Sequence, residues 1–202
     1  MKNLIKEILI VLLFAGIIGC ETFEPIDENR LDLDFVKQTP AAAEGVLLNA
    51  YSGLVNQYSF SEAATDDAVN NSLTNNFKRI AQGELNALFN NPASRWNNYQ
   101  RVFWANRFLE ILETGETVWS TDEVANKLFK DRLKGEALAL RALHHFYVLQ
   151  AHAGVGANAL LGVPYYTEYI GSDGDFNIAR LSFEDTVDAI MKDFNDAMEL
   201  LP

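Results

Sequence analysis

Residues 134–154 read KGEALALRALHHFYVLQAHAG. Leu133, Ala137, Leu140, His144, Tyr147 and Ala151 recur at the spacing of one helical face, and Leu138, Ala142, Phe146 and Leu149 line another. The run's many alanines permit close approach by neighbouring helices. Upstream, Ser120 reads as an N-cap, with Glu123 three residues on completing a capping box. Downstream, Gly154 and Gly156 stop the helix. The pattern predicts a long helix from Ser120 to about His152.

Moving outward, a preceding helix is expected from about Ser94 to Glu113. Trp96, Tyr99, Val102, Phe103 and Asn106 share one of its faces, while Trp104, Phe108, Ile111 and Leu112 lie elsewhere around it. A helix apolar on more than one side belongs between others. The first helix is expected to start with Thr39 as N-cap and Pro40 at the first helical position. Ala43, Val46, Leu47, Ala50, Tyr51, Leu54 and Val55 then form a single apolar stripe. After the long helix, residues 155–181 form a connector containing GVPYYTEYI, extended around Pro164. Ser182 and Asp185 open the last helix, with Val187, Ile190, Met191, Phe194, Met198 and Leu201 on its apolar face.

Residues 58–94 differ from all of these. They are rich in Asn, Asp, Ser and Thr, whose side chains compete for backbone hydrogen bonds and favour loops. Long loops on helical scaffolds often carry function. The fold class read from this pattern is all-α: a tetratricopeptide-like helical array with long polar loops. No strict 34-residue repeat signature is present, so the repeat reading rests on architecture alone.

Composition narrows the function classes. The 202 residues are 49% hydrophobic, enough for one helical domain with its own core. A formal charge of -12 repels phosphate backbones and argues against a nucleic-acid partner. The single cysteine excludes a disulfide-stapled scaffold. His144, His145 and His152 lie on one helix without the spacing of a metal site, and there is no HExxH motif or Cys/His cluster. No pair of carboxylates stands out in an apolar setting, and no phosphate-binding glycine loop or nucleophile elbow occurs. No catalytic residue, metal or cofactor is therefore assigned.

The lone cysteine has a positional explanation. Residues 1–20 read MKNLIKEILIVLLFAGIIGC. Lys2 and Lys6 give a positive start, and Ile8 to Ile18 an apolar stretch shorter than the roughly 20 residues of a membrane-spanning helix. Ile17, Ile18, Gly19 and Cys20 resemble the lipobox of bacterial lipoproteins. The expected arrangement is a signal peptide over 1–19, lipid attachment at Cys20, a lipidated tether over 20–38 and a helical domain over 39–202. One acyl chain holds a protein on a membrane marginally, whereas two or more hold it firmly.

Taken in order, these pieces resemble the N-terminal region of the SusD/RagB family of surface lipoproteins. The resemblance runs through AYSGL at 50–54, Thr65-Asp66-Asp67, WNNYQRVFWANRFLE at 96–110, the 134–154 run, Gly162-Val163-Pro164 and the final helix ending in Leu201-Pro202. It implies an incomplete SusD-like fold, truncated at that Leu-Pro boundary. It implies no enzymatic activity. It implies instead an outer-membrane protein facing the cell exterior, which binds oligosaccharides or other nutrients and passes them to a SusC-like TonB-dependent transporter. Sugar recognition needs flat aromatics for C–H faces and Asn, Asp or Arg for hydroxyls. The candidate ligand-binding residues lie in the polar loop: Asp66, Asp67, Asn70, Asn71, Asn75, Asn76, Phe77 and Arg79. Trp96 and Tyr99 are expected in the core, whereas Trp119 is a possible exposed aromatic. The rival reading is a tetratricopeptide-like lipoprotein scaffold that binds only proteins.

Overall fold

The computed structural model of the chain describes residues 33–52, 54, 71, 76–84, 95–154, 160–171 and 174–202. Six helices occur among them: α1 (Leu33–Gln38), α2 (Pro40–Tyr51), α3 (Asn76–Ala81), α4 (Asn98–Thr114), α5 (Glu123–His152) and α6 (Phe183–Leu200). The all-α class holds among the described residues. The extended pairing there is a single antiparallel bridge between Leu161 and Ser182. Helix α5 packs against α6 and α4, and α4 packs against α2, with α1 laid on α2 and α4.

The helix starts follow local chemistry, with two departures from the expected boundaries. Thr39 is the N-cap of α2 and Pro40 its first helical residue, where a missing N–H costs nothing. Ser182 caps α6, its hydroxyl accepting from the Asp185 N–H at 2.9 Å. Helix α5 begins later than Ser120: Asp122 is its N-cap and accepts from the Ala125 N–H at 2.8 Å. A carboxylate at this position satisfies an orphan donor and also faces the positive end of the helix dipole. Helix α4 begins at Asn98 rather than near Ser94, which leaves Trp96 and Asn97 in the turn before it. Helix α4 ends at Gly115, whose φ of 73° is left-handed and suits a residue without Cβ. Helix α1, in the stretch read as tether, places Val36 in the core, so the compact unit runs from Leu33 to Pro202.

Among the described residues, two apolar clusters form the core. The larger gathers Val36, Ala43, Leu47 and Ala50 of α1 and α2, Ala105, Phe108 and Ile111 of α4, and Leu133, Ala137 and Leu140 of α5. Full burial of a residue such as Phe108 or Leu47 contributes about 1.5–3 kcal/mol. The alanines let backbones approach so that the larger side chains interlock. The second cluster joins Ala142, Val148 and Leu149 of α5 to Val163 and Ile190.

The connector between α5 and α6 is pinned at Gly162. The Gly162 N–H donates to Leu181 O at 2.9 Å, and Arg180 Nε donates to Gly162 O at 2.6 Å. A Cβ on Gly162 would lie 2.0 Å from Thr186 Oγ1 and 2.5 Å from Ser182 O. Only glycine lets the chain pass this close to the first turn of α6. That contact is the physical reason for the glycine in the Gly162-Val163-Pro164 motif.

Candidate functional site

The sequence-derived binding residues fall unevenly on the structure. Asp66, Asp67, Asn70 and Asn75 lie outside the described residues, as does Cys20. Asn71 is exposed. Asn76 and Phe77 do not belong to a loop: they open helix α3, which also carries Arg79. Arg79 is exposed and pairs with Glu84 at 2.7 Å. An Asn-rich composition had argued for loop throughout this stretch, but the less polar NFKRIA segment closes a helical turn and a half.

Trp119 is not exposed. It is half-buried, with its indole N–H donating to Glu44 Oε1 at 2.8 Å, which ties the loop before α5 to α2. Trp96 departs in the opposite sense. The expected core residue is 52% exposed. Its ring stacks on the His152 imidazole with centroids 3.9 Å apart and planes 17° apart. Tyr99 matches expectation better: it is partly buried, and its hydroxyl donates to Pro164 O at 2.9 Å. Burial first, and then the neighbouring Tyr166, push its phenol well above the ordinary value.

The most ordered polar structure is a buried network that joins α4, α5, α6 and the connector. Arg141 and Asp193 form a bidentate pair, Nε to Oδ2 and Nη2 to Oδ1, both at 2.6 Å. Their residues are 8% and 4% exposed. Arg141 Nη1 also donates to Asn106 Oδ1 at 3.1 Å and Thr167 O at 2.9 Å. Asn106 in turn donates to Tyr166 O and Glu168 O. The Tyr165 hydroxyl donates to Asp193 Oδ2 at 2.6 Å. Burial alone would lower the Arg141 pKa, but the hydrogen bonds and charge of Asp193 override it and hold the guanidinium above its usual value. Burial and the Asp193 charge push the Tyr165 phenol up.

Two histidines complete this interior. The Tyr166 N–H donates to His145 Nε2 at 3.0 Å, so His145 Nδ1 carries the proton and donates to Arg141 O at 2.9 Å. The ring stacks on Tyr165 at 3.8 Å. Burial, with no water to solvate a cation, drives its pKa down to about 3. His144 Nε2 donates to Ala50 O at 2.7 Å, and burial likewise lowers its pKa. Both histidines are structural: they satisfy backbone groups where helices meet connector or neighbour.

A polar cleft of about 520 Å³ opens above this network, between α4 and the connector. Asn106, Leu109, Glu110 and Glu113 form one wall, and Thr167, Glu168 and Tyr169 the other. Arg107 braces the cleft, pairing with Glu110 at 2.5 Å and lying 4.6 Å from the Tyr169 ring centroid. Among the described residues no group of three or more His, Cys, Asp or Glu side chains is placed to hold a metal ion.

Residues 31–202 match the SusD-like family described as starch-binding and associating with outer membrane. The chain belongs to the SusD-like family. Comparison with curated proteins finds no match. The SusD-like match spans the whole compact helical unit from Leu33 to Pro202. It places the chain in a family of binding proteins. Arg141, Asp193, His144 and His145 spend their polar atoms within the interior, on one another, on the Asn98, Asn106 and Tyr165 side chains and on the backbone. The family associates with the outer membrane, and among the described residues no helix is long and apolar enough to cross a membrane.

Proposed function

We propose that this SusD-like protein is a surface lipoprotein that captures starch-like or other glycans and hands them to a SusC-like TonB-dependent transporter. The family match over residues 31–202 carries this reading. A signal peptide over 1–19 would be removed, Cys20 would take the lipid, and the following residues would tether the domain to the outer membrane, facing outward. The protein then acts by contact. It raises the local concentration of glycan over the transporter mouth and forms no covalent intermediate. Asp66, Asp67, Asn70, Asn71 and Asn75, with Asn76, Phe77 and Arg79 of helix α3, remain candidate ligand contacts in this reading.

A protein-binding scaffold is the second reading. It is favoured by an apolar groove of about 620 Å³ between the start of α5 and the end of α6, where Leu128 and Phe129 are exposed.

The lipidated protein expressed in its outer membrane should co-purify with a β-barrel transporter, and the mature chain should bind maltoheptaose in calorimetry. Labelling with radioactive palmitate should vanish in Cys20→Ser. Loss of both glycan binding and transporter co-purification in the wild type would leave the scaffold reading.

A further inference from the structure

Helix α5 is longer than the helix that covers it. The two run antiparallel: Arg141 pairs with Asp193, and a Cβ on Gly135 would lie 2.9 Å from Leu201 Cγ and 3.1 Å from Ala197 O. Helix α6 therefore stops opposite Gly135. The first twelve residues of α5, Glu123 to Lys134, run on past it for about 18 Å. The face that meets α6 continues through this overhang. At helical spacing before Gly135 it carries Arg132 and Leu128, which with Phe129 form one wall of the groove of about 620 Å³; Leu200, Leu201 and Pro202 form the other. Val124 is 71% exposed and Leu128 65%. An apolar stripe thus extends three turns beyond its cover.

The charges of the overhang select an occupant. Asp122 and Glu123 make its N-terminal end acidic, and both are exposed. Lys127, Lys130, Arg132 and Lys134 make the other end basic, with Asp131 taken up by Lys127. Arg132 is loosely held within its own chain. Glu136 Oε1 lies 3.7 Å from its Nε, and that nitrogen makes no hydrogen bond among the described residues. A helical segment with opposite charges at its two ends complements itself when two copies run antiparallel. A parallel pair would set Glu123 against Glu123 and Lys134 against Lys134.

We propose that the overhang of α5 pairs with that of a second copy of this chain in an antiparallel, two-fold dimer. The helices cross at Leu128, and Leu128 and Phe129 of each copy fill the groove of the other. Glu123 of one copy comes level with Arg132 and Lys134 of the second copy, and the two-fold axis repeats that pairing. The second overhang continues the helical layer that α6 leaves unfinished. The dimer is independent of glycan capture, so either can fail without the other.

The test uses the mature chain with Cys20→Ser, which removes the lone thiol. Sedimentation equilibrium over a wide range of concentration should show a reversible shift from the mass of one chain to that of two. Leu128→Asp should raise the dimer Kd about a hundredfold, because each copy loses an anchor worth about tenfold. Leu128 is exposed, so the melting curve of this variant should match wild type. Glu123→Lys by itself should weaken the dimer about tenfold, and so should Lys134→Glu. The two together should recover most of the loss, which a folding defect could not do. Leu128→Cys in the same background should cross-link copy to copy with a short bismaleimide. Met191→Cys, exposed on α6 well away from the groove, should not. A single-chain mass at every concentration overturns the proposal and leaves the groove to another occupant. Dimers that tolerate Leu128→Asp overturn it as well, by placing the interface elsewhere. Failure of the charge swap to recover binding overturns the antiparallel register.

Discussion

The seam between α2, α4 and α5 is closed by apolar side chains; the seam joining α5, α6 and the connector sets a buried charge pair beside its own apolar cluster. In the first, Ala43, Ala50, Ala105 and Ala137 bring backbones together around Leu47, Phe108 and Leu140. Its stability comes from area removed from water and is distributed over many small contacts. In the second, Arg141 and Asp193 sit where the helical stripes call for apolar residues. Asp193 occupies the same face of α6 as Thr186, Ile190 and Ala197, all of them buried. Beside the apolar cluster of this seam, one bidentate pair also orders Asn106, Thr167 and Tyr165. A distributed seam can relax around a defect. A buried charge pair cannot, because removing one charge strands the other.

The sharpest way to break the contrast is Asp193→Ala. It leaves a buried guanidinium without its counter-charge and should cost on the order of 4 kcal/mol in urea denaturation. The double variant Arg141→Met/Asp193→Leu should recover part of that loss, since an apolar pair fills the same space without a stranded charge. Recovery stays partial because Asn106 Oδ1 and Thr167 O lose their donor. Equal losses in single and double variants would show that the charge itself is not what the seam depends on.

Phe108→Ala tests the other seam and should cost about 3 kcal/mol, at the lower end for a buried Phe. The surrounding alanines permit the helices to close partly over the cavity. A loss larger than that of Asp193→Ala would reverse the ranking of the two seams.

The smallest expected effect is a pH slope. His145 is held neutral with a pKa of about 3, whereas in the unfolded chain it titrates near the ordinary value of about 6.5. Below that value the unfolded state binds a proton that the native state refuses. Stability present above about pH 6.5 is therefore lost as pH falls towards 3, by about 1.4 kcal/mol per pH unit from this group. His144 and His152, also lowered, add to the slope with the same sign. Denaturation at pH 7, 5.5 and 4.5 should show this fall, and His145→Gln should show a shallower one. An unchanged slope in that variant would place the proton uptake elsewhere.

Much of the helical frame was legible because periodicity is a local property. Helix α5 ends at His152 as expected, although extended Ala153 rather than a left-handed glycine ends it, and Thr39 and Ser182 occupy the N-cap positions as read, Ser182 with a side-chain hydrogen bond. The misreadings are local too. Glu123 after Ser120 resembles a capping box, yet Asp122 offers a closer and charged acceptor and takes the role. Trp96 joins a helical stripe only if α4 starts near Ser94. Its start at Asn98 leaves Trp96 outside the stripe, and the indole turns to His152 instead. The buried pair carried a faint signal, a charged residue at a stripe position on each of two helices. A sequence reader assigns such residues to solvent by default, because burial of a charge is tolerable only beside a partner.

The sequence by itself determined the helical class, the N-cap positions of α2 and α6, the net negative charge and the ordered motifs of the SusD-like family. These depend on residue type and on spacing within about two helical turns. Only the tertiary structure decided that Arg141 finds Asp193 across 52 positions, that Gly162 must slide beneath Thr186, and that Trp96 is held open on His152. Each of those depends on groups far apart in the chain meeting at hydrogen-bond or van der Waals distance, and local pattern holds no record of distance in space.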